Sequence, residues 1–409
     1  MKKIALTINK NYCPTWTTPD AVRELFQNGL DQETVNPDNK FYFDIAKDEG
    51  TIVLVNKESQ LELNTLLLGT STKADDESTI GQFGEGYKIA TLVLLREGKS
   101  IVIYNRRKKE VWRPRFVNSR SFGQEILTFE IENESSTFFD KVLNKKPSGD
   151  LVIEVTGLTK SDFEHIIVSN LHIQNSLTGA NSSLYRVLYD TKFGEVITGE
   201  YINSGDIFVN GLFVCNTGEK YKYAYNFKSK YLKLDRDRKM VSDLALGSLT
   251  ATIWVYLLDT NIRGVEDEVF DMLVNYAADV SLFSSGRQRV YNDVRSDERT
   301  SKYEGIANVM YDKFIELHGK DAVPIVYSYE SYGVIDTQRP VVVSSAMEST
   351  IRYATSYVAP QYTRDTLGFL IECKKCYSRK ITIKDNLLTC NNCGRSTSTN
   401  LPGDYTDIE

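Results

Sequence analysis

Three side chains near the start of the chain, Glu24, Asn28 and Asp31, stand at i, i+4 and i+7. On a helix that spacing puts two carboxylates and an amide on one face. A carboxylate and an amide oxygen one turn apart suit a hard divalent cation and an attacking water. The same spacing fits a polar face turned to solvent. Downstream, Gly69-Thr70-Ser71-Thr72-Lys73 is followed by Ile80-Gly81-Gln82-Phe83-Gly84-Glu85-Gly86-Tyr87-Lys88. A glycine-rich run opening a helix exposes backbone N–H groups at the positive helix end, which is a phosphate cradle; a surface turn is the plainer alternative. It is neither a Walker A loop, since no Gly-Lys-Ser/Thr follows, nor a dinucleotide fingerprint. Near the C-terminus, Cys373-x-x-Cys376 and Cys390-x-x-Cys393 are separated by thirteen residues. Two such knuckles match the spacing of a tetrahedral zinc ribbon, with a redox pair or disulfides as the alternatives.

The elements that must position these groups are legible in the hydrophobic pattern. Thr18-Pro19-Asp20 reads as a helix start, with a capping hydroxyl, a proline in the first turn and an acid at the positive end. The helix over 21–32 carries an apolar stripe of Val22, Leu25, Phe26 and Leu30 opposite the polar one. Strands are predicted at 41–44, 51–55, 100–104 and 151–155, and a second helix at 89–95. Residues 1–200 therefore read as a mixed α/β domain. Residues 201–365 read as a second α/β domain, opening on a hairpin at 206–214 with Asn210-Gly211 as its turn. Helices are expected there near 241–258, 264–283 and 303–318, with an exposed Ser/Gly/Arg/Asp-rich loop at 284–301. Residues 366–398 form the cysteine module and 399–409 a polar tail.

Composition bounds the function. The 409 residues suggest two or three domains at about 150 residues each. With 41% hydrophobic and 25% charged residues, the chain is ordinary globular material, not disordered, collagen-like or a coiled-coil rod. Its 49 basic and 55 acidic residues give a net charge of −6, so any nucleic-acid contact must come from a local patch. Three local stretches are basic. Residues 96–115 hold eight bases and two acids. Residues 220–239 hold the same numbers, with Tyr221, Tyr223, Tyr225, Phe227 and Tyr231 interleaved. Residues 372–395 hold six bases and two acids. Aromatics among bases can stack nucleobases, but in a β-rich segment alternate aromatics are more often sheet residues. The apolar run at 244–258 is too short to span a bilayer and reads as a buried core helix. The cysteine pattern favours a reducing compartment, so a soluble, cytoplasmic protein with no membrane contact is expected.

Glu24-x-x-x-Asn28-x-x-Asp31 followed by Gly81-Gln82-Phe83-Gly84-Glu85-Gly86 resembles the GHKL (Bergerat-fold) ATPase superfamily. That superfamily includes the DNA gyrase B subunits, ninety-kilodalton heat-shock chaperones, histidine kinases, MutL and microrchidia proteins. The segment 80–88 is similar to the chaperone and microrchidia versions, and the overall style resembles uncharacterised GHKL proteins of phages and prophages. The resemblance implies an α/β sandwich ATP-binding domain, a transducer-like second domain and a Mg²⁺-dependent ATPase. Glu24 would be the general base for water and Asn28 the Mg²⁺ ligand, with Asp31 on the same helix face. Gly81, Gln82, Phe83, Gly84, Glu85 and Gly86 would cradle ATP, with Lys88 adding positive charge and residues 69–86 forming a lid. Catalysis would rest on positioning and electrostatics.

The chain departs from the superfamily pattern at the base-binding box. Asn56 stands where an aspartate takes the adenine amino group, and both glycines of that box are missing. An asparagine oxygen can accept from adenine, or its amide can turn to donate to a guanine carbonyl. In the third box Asp150 replaces threonine and is expected to compensate in part for Asn56. The run Leu234-Asp235-Arg236-Asp237-Arg238 is similar to a chaperone segment whose arginine reaches the γ-phosphate, which places Arg238 in that role with Arg236 in reserve. The three histidines, His165, His172 and His318, form no ligand pair and precede no phosphoacceptor motif, which argues against the histidine-kinase branch. The cofactors implied are ATP, Mg²⁺ and Zn²⁺, the zinc on Cys373, Cys376, Cys390 and Cys393. The partners implied are a second copy of the chain when ATP binds, and a DNA or protein client met through the ribbon and the basic stretches. The location implied for a phage-encoded chain is the host cytoplasm. An ATP-binding adaptor or inhibitor with little turnover, and a chaperone-like protein acting on polypeptides, are the alternative functions.

Overall fold

The computed structural model describes residues 1–66, 86–121, 123–144, 149–178, 184–218, 220–232, 242–260, 262–328, 331, 334–362, 381–384 and 387–398. Of the expectations above, those on Gly81 to Glu85, Arg236, Arg238, Cys373, Cys376 and the tail at 399–409 lie outside the described residues. The chain is mixed α/β with mainly antiparallel sheets, and it divides into two compact units. The first is 1–219 with 223–242; the second is 220–222 with 243–409.

The first unit is built on a seven-stranded sheet. Its strands are β1 (Lys2–Asn9), β2 (Phe41–Ala46), β3 (Thr51–Asn56), β4 (Ser100–Asn105), β5 (Glu110–Ser119), β6 (Gln124–Asn133) and β7 (Leu151–Thr156). They run in the order β1-β6-β5-β4-β7-β3-β2, each neighbour antiparallel. The β-branched runs at 51–55, 100–104 and 151–155 fall at the sheet centre, where both faces are covered. On one face lie α1 (Thr18–Val35), α2 (Gly86–Arg96) and α4 (Lys160–Val168); Phe26, Leu92 and Phe163 from these helices join Ile52, Ile103 and Trp112 in one core. On the other face α3 (Ser136–Leu143) packs Phe139 and Leu143 against Val53, Val55 and Val152. Such burial stabilises each large side chain by about 1.5–3 kcal/mol.

Within the same unit, α5 (Leu171–Thr178) leads to a second sheet of β8 (Arg186–Asp190), β9 (Gly194–Thr198), β10 (Asp206–Val209), β11 (Leu212–Asn216) and β12 (Ala224–Phe227). Its order is β11-β10-β12-β9-β8, with β10 and β12 parallel. Asn210 and Gly211 close the β10–β11 hairpin with φ of 47° and 80°, the left-handed pair such a turn requires.

The second unit is helical: α6 (Asp243–Asp259), α7 (Val265–Val274), α8 (Phe283–Val290), α9 (Ser296–His318) and α10 (Ser345–Ile351), with the parallel pair β13 (Ala322–Ile325) and β14 (Arg339–Val342). As the apolar run predicts, α6 is buried along most of its length, although Leu244 at its start is 73% exposed. No described helix is long and apolar enough to cross a membrane. The helix expected over 264–283 stops at Val274, where Asn275 caps it and Tyr276 turns left-handed (φ 58°). The loop expected at 284–301 is largely helical, since it contains α8 and the first turns of α9. Gly286 looks like a loop residue but serves close packing: a Cβ there would lie 2.6 Å from the Ala251 backbone of α6. Arg287 is buried too. It stands 4.8 and 4.9 Å over the rings of Tyr303 and Tyr353 and donates to the Ser349 carbonyl at 2.9 Å, while burial lowers its pKa.

Candidate functional site

The helix that carries the polar triad starts one residue earlier than its sequence suggests. Thr17, not Thr18, is the cap. Its N–H and hydroxyl donate to the Asp20 carboxylate at 2.9 and 3.0 Å, as in a capping box. From there the apolar stripe locks onto the sheet, with Phe26 meeting Phe41 edge-on at 5.5 Å and Phe43 at 5.0 Å. Gly29 makes that approach feasible, because a Cβ there would lie 2.2 Å from the Phe41 ring.

The polar stripe does not face solvent. Glu24 and Asp31 are each 1% exposed, Asn28 is half-buried, and Arg23 and Gln27 are buried beside them. The solvated-face reading therefore fails for α1. Arg23 was not legible as a site residue. It donates from Nη1 to the Phe213 carbonyl of β11 at 3.3 Å, lies 3.7 Å from Glu24 Oε1, and sits 6.0 Å from the Trp16 ring. Among the described residues, Asn28 Nδ2 and Arg23 Nε and Nη2 are buried without a hydrogen-bond partner. Buried polar groups are nearly always satisfied, and orphaned ones concentrate where a ligand belongs.

Asn56 sits at the end of β3 under this helix. Its Nδ2 donates to the Gly29 carbonyl at 3.0 Å and the Asn39 carbonyl at 3.1 Å, both bonds buried. Two carbonyl acceptors fix which end of the amide is nitrogen. Both protons are thus engaged, and the remaining capacity of the group is that of an acceptor. Turning the amide to donate elsewhere would break two buried bonds. Asp150 lies across the β3–β7 pairing and accepts from the Glu58 N–H at 2.9 Å, which holds Glu58 in a left-handed turn (φ 48°). Its carboxylate is thus a turn brace.

Gly86 opens α2, and Lys88 in its first turn is 0% exposed, so its ammonium lies inside the unit. The Tyr87 hydroxyl is buried with no hydrogen-bond partner among the described residues, and burial pushes its pKa well above the usual phenol range. The glycine run immediately ahead of these residues lies outside the described part.

The basic stretch at 96–115 is largely neutralised by residues brought from elsewhere. Arg96 donates to the carbonyls of Tyr12, Cys13 and Trp16. Lys99 pairs with Asp162, Arg106 with Asp140, Lys108 with Glu62, Arg113 with Glu132 and Arg115 with Glu130. In the second stretch Tyr225 and Phe227 are buried and stacked at 5.5 Å, which makes them sheet residues. At the C-terminus β15 (Ile381–Lys384), β16 (Leu387–Cys390) and β17 (Ser396–Ser398) form an antiparallel sheet. Cys390 and Cys393 share a tight turn: the Gly394 N–H donates to the Cys390 carbonyl at 2.9 Å, with Gly394 left-handed (φ 73°).

Residues 180–259 match the family described as the Mycoplasma pneumoniae MPN635 N-terminal domain. An uncharacterised protein of Mycoplasma pneumoniae is 25% identical over 249 residues, 59% of this chain and 92% of that protein. Among solved structures, the ATPase region of Saccharomyces cerevisiae topoisomerase II is similar at 11% identity and a TM-score of 0.33, covering 64% of this chain and 76% of the other. The ATPase and transducer domains of DNA topoisomerase II from Balamuthia mandrillaris are similar at 12% identity and a TM-score of 0.29, covering 48% and 60%.

Proposed function

We propose that this chain is a Mg²⁺-dependent ATPase of the GHKL type, its first unit a Bergerat-like ATP-binding domain. The observation that carries the reading is the polar stripe of α1. Glu24 and Asp31 are taken almost wholly out of solvent, and the amide nitrogen of Asn28 between them has no hydrogen-bond partner among the described residues. A fold bears the cost of burying two carboxylates where something else returns it. The donor set consists of carboxylate and amide oxygens, which suits Mg²⁺ rather than a softer metal. Asn28 would hold the ion, which when bound neutralises phosphate charge.

In this reading Glu24 orients and polarises the attacking water, and the fixed helix geometry keeps it in place at no further cost in order. The acceptor end of the Asn56 amide takes the amino group of adenine. The glycine run from Gly81 to Gly86 cradles the phosphates, and Arg238, with Arg236 in reserve, meets the γ-phosphate. Binding closes a lid and pairs two copies, giving a conformational clamp on a client. The charge balance of residues 96–115 favours a client met elsewhere than on that stretch. The four cysteines Cys373, Cys376, Cys390 and Cys393 hold Zn²⁺, a role supported by the tight turn at the second pair.

The test is steady-state ATP hydrolysis by the full chain and by Glu24→Ala, with ATP affinity measured on both. Turnover lost by at least about a hundredfold with affinity retained is the expected result for a missing base. Equal turnover in the two proteins would remove Glu24 from the chemistry.

A further inference from the structure

Beside Glu24 lies a cation that the spacing of the polar stripe does not include. Arg23 is 8% exposed, and its guanidinium sits among three oxygens. Nη1 donates to the Phe213 carbonyl of β11 at 3.3 Å and lies 4.0 Å from Asp20 Oδ1, while Nη2 lies 3.7 Å from Glu24 Oε1. Successive residues of a helix do not face each other, so it is the length of the arginine stem that brings its charge to Glu24.

A distant strand holds the guanidinium. Ile207 of β10 stands opposite Cys215 and Phe208 opposite Phe213, which leaves Val214 as an extra residue in β11. Such a bulge disrupts the ladder locally and bends the strand, and beside it the Phe213 carbonyl accepts from Arg23. This part of β11 is itself fastened to the junction of α4 and α5: the Phe213 N–H donates to the Ser169 carbonyl at 2.9 Å, and the Leu171 N–H to the Gly211 carbonyl at 2.8 Å. On the other side, Asp20 Oδ2 accepts from the Thr17 N–H and hydroxyl.

Two features separate this arrangement from a plain ion pair or a structural pin. A guanidinium free to close on a carboxylate does so at about 2.7–2.9 Å, often through two parallel bonds. At 3.7 Å, Nη2 is outside hydrogen-bond reach of Oε1. A pin buried to this depth would also have its donors satisfied, whereas Nε and Nη2 of Arg23 have no hydrogen-bond partner among the described residues. The charge is brought to Glu24 and stopped short of it. A base that works on water gains from both halves of that geometry. A buried carboxylate is costly unless a cation balances it, and an oxygen bonded by that cation is a poorer acceptor for the proton of a water.

We propose that Arg23 is a positioning residue for Glu24: tethered to the bulge of β11 through the Phe213 carbonyl, it balances the buried carboxylate without taking Oε1 from the attacking water. The inference rests on the ATPase reading above, in which Glu24 is the base.

The experiment is steady-state ATP hydrolysis by the full chain and by Arg23→Met, Arg23→Lys and Glu24→Ala, with the affinity for a non-hydrolysable ATP analogue measured on each. Methionine keeps an apolar stem and suits a helix, but carries no charge. Lysine keeps the charge but lacks the fork that serves Phe213 and Glu24 together; its kcat alone decides the matter if methionine does not fold. Both changes should lower kcat by at least about tenfold, part of the about hundredfold or more that a base supplies, with KM and analogue affinity unchanged. Wild-type kcat in either variant, or turnover and affinity falling together, overturns the inference. Turnover retained in Glu24→Ala removes the base of the ATPase reading, and this inference with it. Turnover that needs Glu24 and ignores Arg23 removes this inference alone.

Discussion

Replacing Asn56 by aspartate would restore the residue type that the GHKL pattern has at this position, and the structure predicts that it damages the fold. The amide of Asn56 ties α1 to the β2–β3 region through the carbonyls of Gly29 and Asn39, at 3.0 and 3.1 Å. Asn56→Ala removes one bond from the Gly29 carbonyl, which keeps its place in the α1 ladder, and deprives the Asn39 carbonyl of a buried donor, for a total of about 2–4 kcal/mol. Asn56→Asp should cost more than alanine, because it sets an ionised carboxylate against two carbonyl oxygens with no donor between them. With a urea slope of about 1–3 kcal/mol/M, either change moves the midpoint by at least about 0.7 M. The chain has two units, so the assay is hydrogen exchange against urea on peptides from 18–35 and 51–56, which reports the first unit alone. An Asn56→Asp protein with wild-type protection would refute the tether. So would one more stable than Asn56→Ala, since the aspartate lacks the very donors that are said to matter.

Other expectations follow from single contacts. Gly29→Ala drives a methyl group to 2.2 Å from the Phe41 ring and should destabilise the first unit by about 1–3 kcal/mol, read in the same exchange experiment. Burial pushes the Asp162 carboxyl up, but the hydrogen bonds from Lys99 and from Thr159 outweigh it and hold the pKa below the usual range. Its contribution is therefore full above about pH 4 and is lost as pH falls through the lowered value. Asp162→Asn should cost about 1 kcal/mol at pH 7 and progressively less in acid; a cost independent of pH would contradict the assignment. Chelation of a zinc-loaded chain should increase exchange in 381–398 and leave 18–35 unchanged, and an unaltered ribbon would argue against a metal there.

Much of the first unit could be read from period alone. The β-branched runs at 51–55, 100–104 and 151–155 became central strands because no other element buries so continuous an apolar face. The face of α1 that holds Glu24, Asn28 and Asp31 was also visible, but spacing cannot say whether such a face is wet or buried. Beside that face Arg23 reaches Phe213 of β11, almost two hundred residues away, a contact no local pattern reveals. The basic run at 96–115 looked like a patch because its counter-charges, Asp140, Glu130 and Glu132, arrive through strand pairing and the α3 packing. Gly286 pointed to a loop for a similar reason: glycine marks both turns and close helix contacts, and only the position of Ala251 distinguishes them. Asn56 was read as a nucleotide contact by resemblance; that both of its protons are committed to the fold, leaving only its oxygen for a base, depends on where Gly29 and Asn39 lie.

The central claim is that the buried stripe of α1 grips a nucleotide through Mg²⁺. The direct measurement is calorimetric titration of the purified full chain with a non-hydrolysable ATP analogue, with and without Mg²⁺, on the wild type and on Asn28→Ala. The account predicts saturable one-to-one binding that requires Mg²⁺ and weakens by at least about tenfold in the variant. A folded wild-type chain that takes up no adenine nucleotide, or one whose uptake ignores both the metal and Asn28, would contradict it.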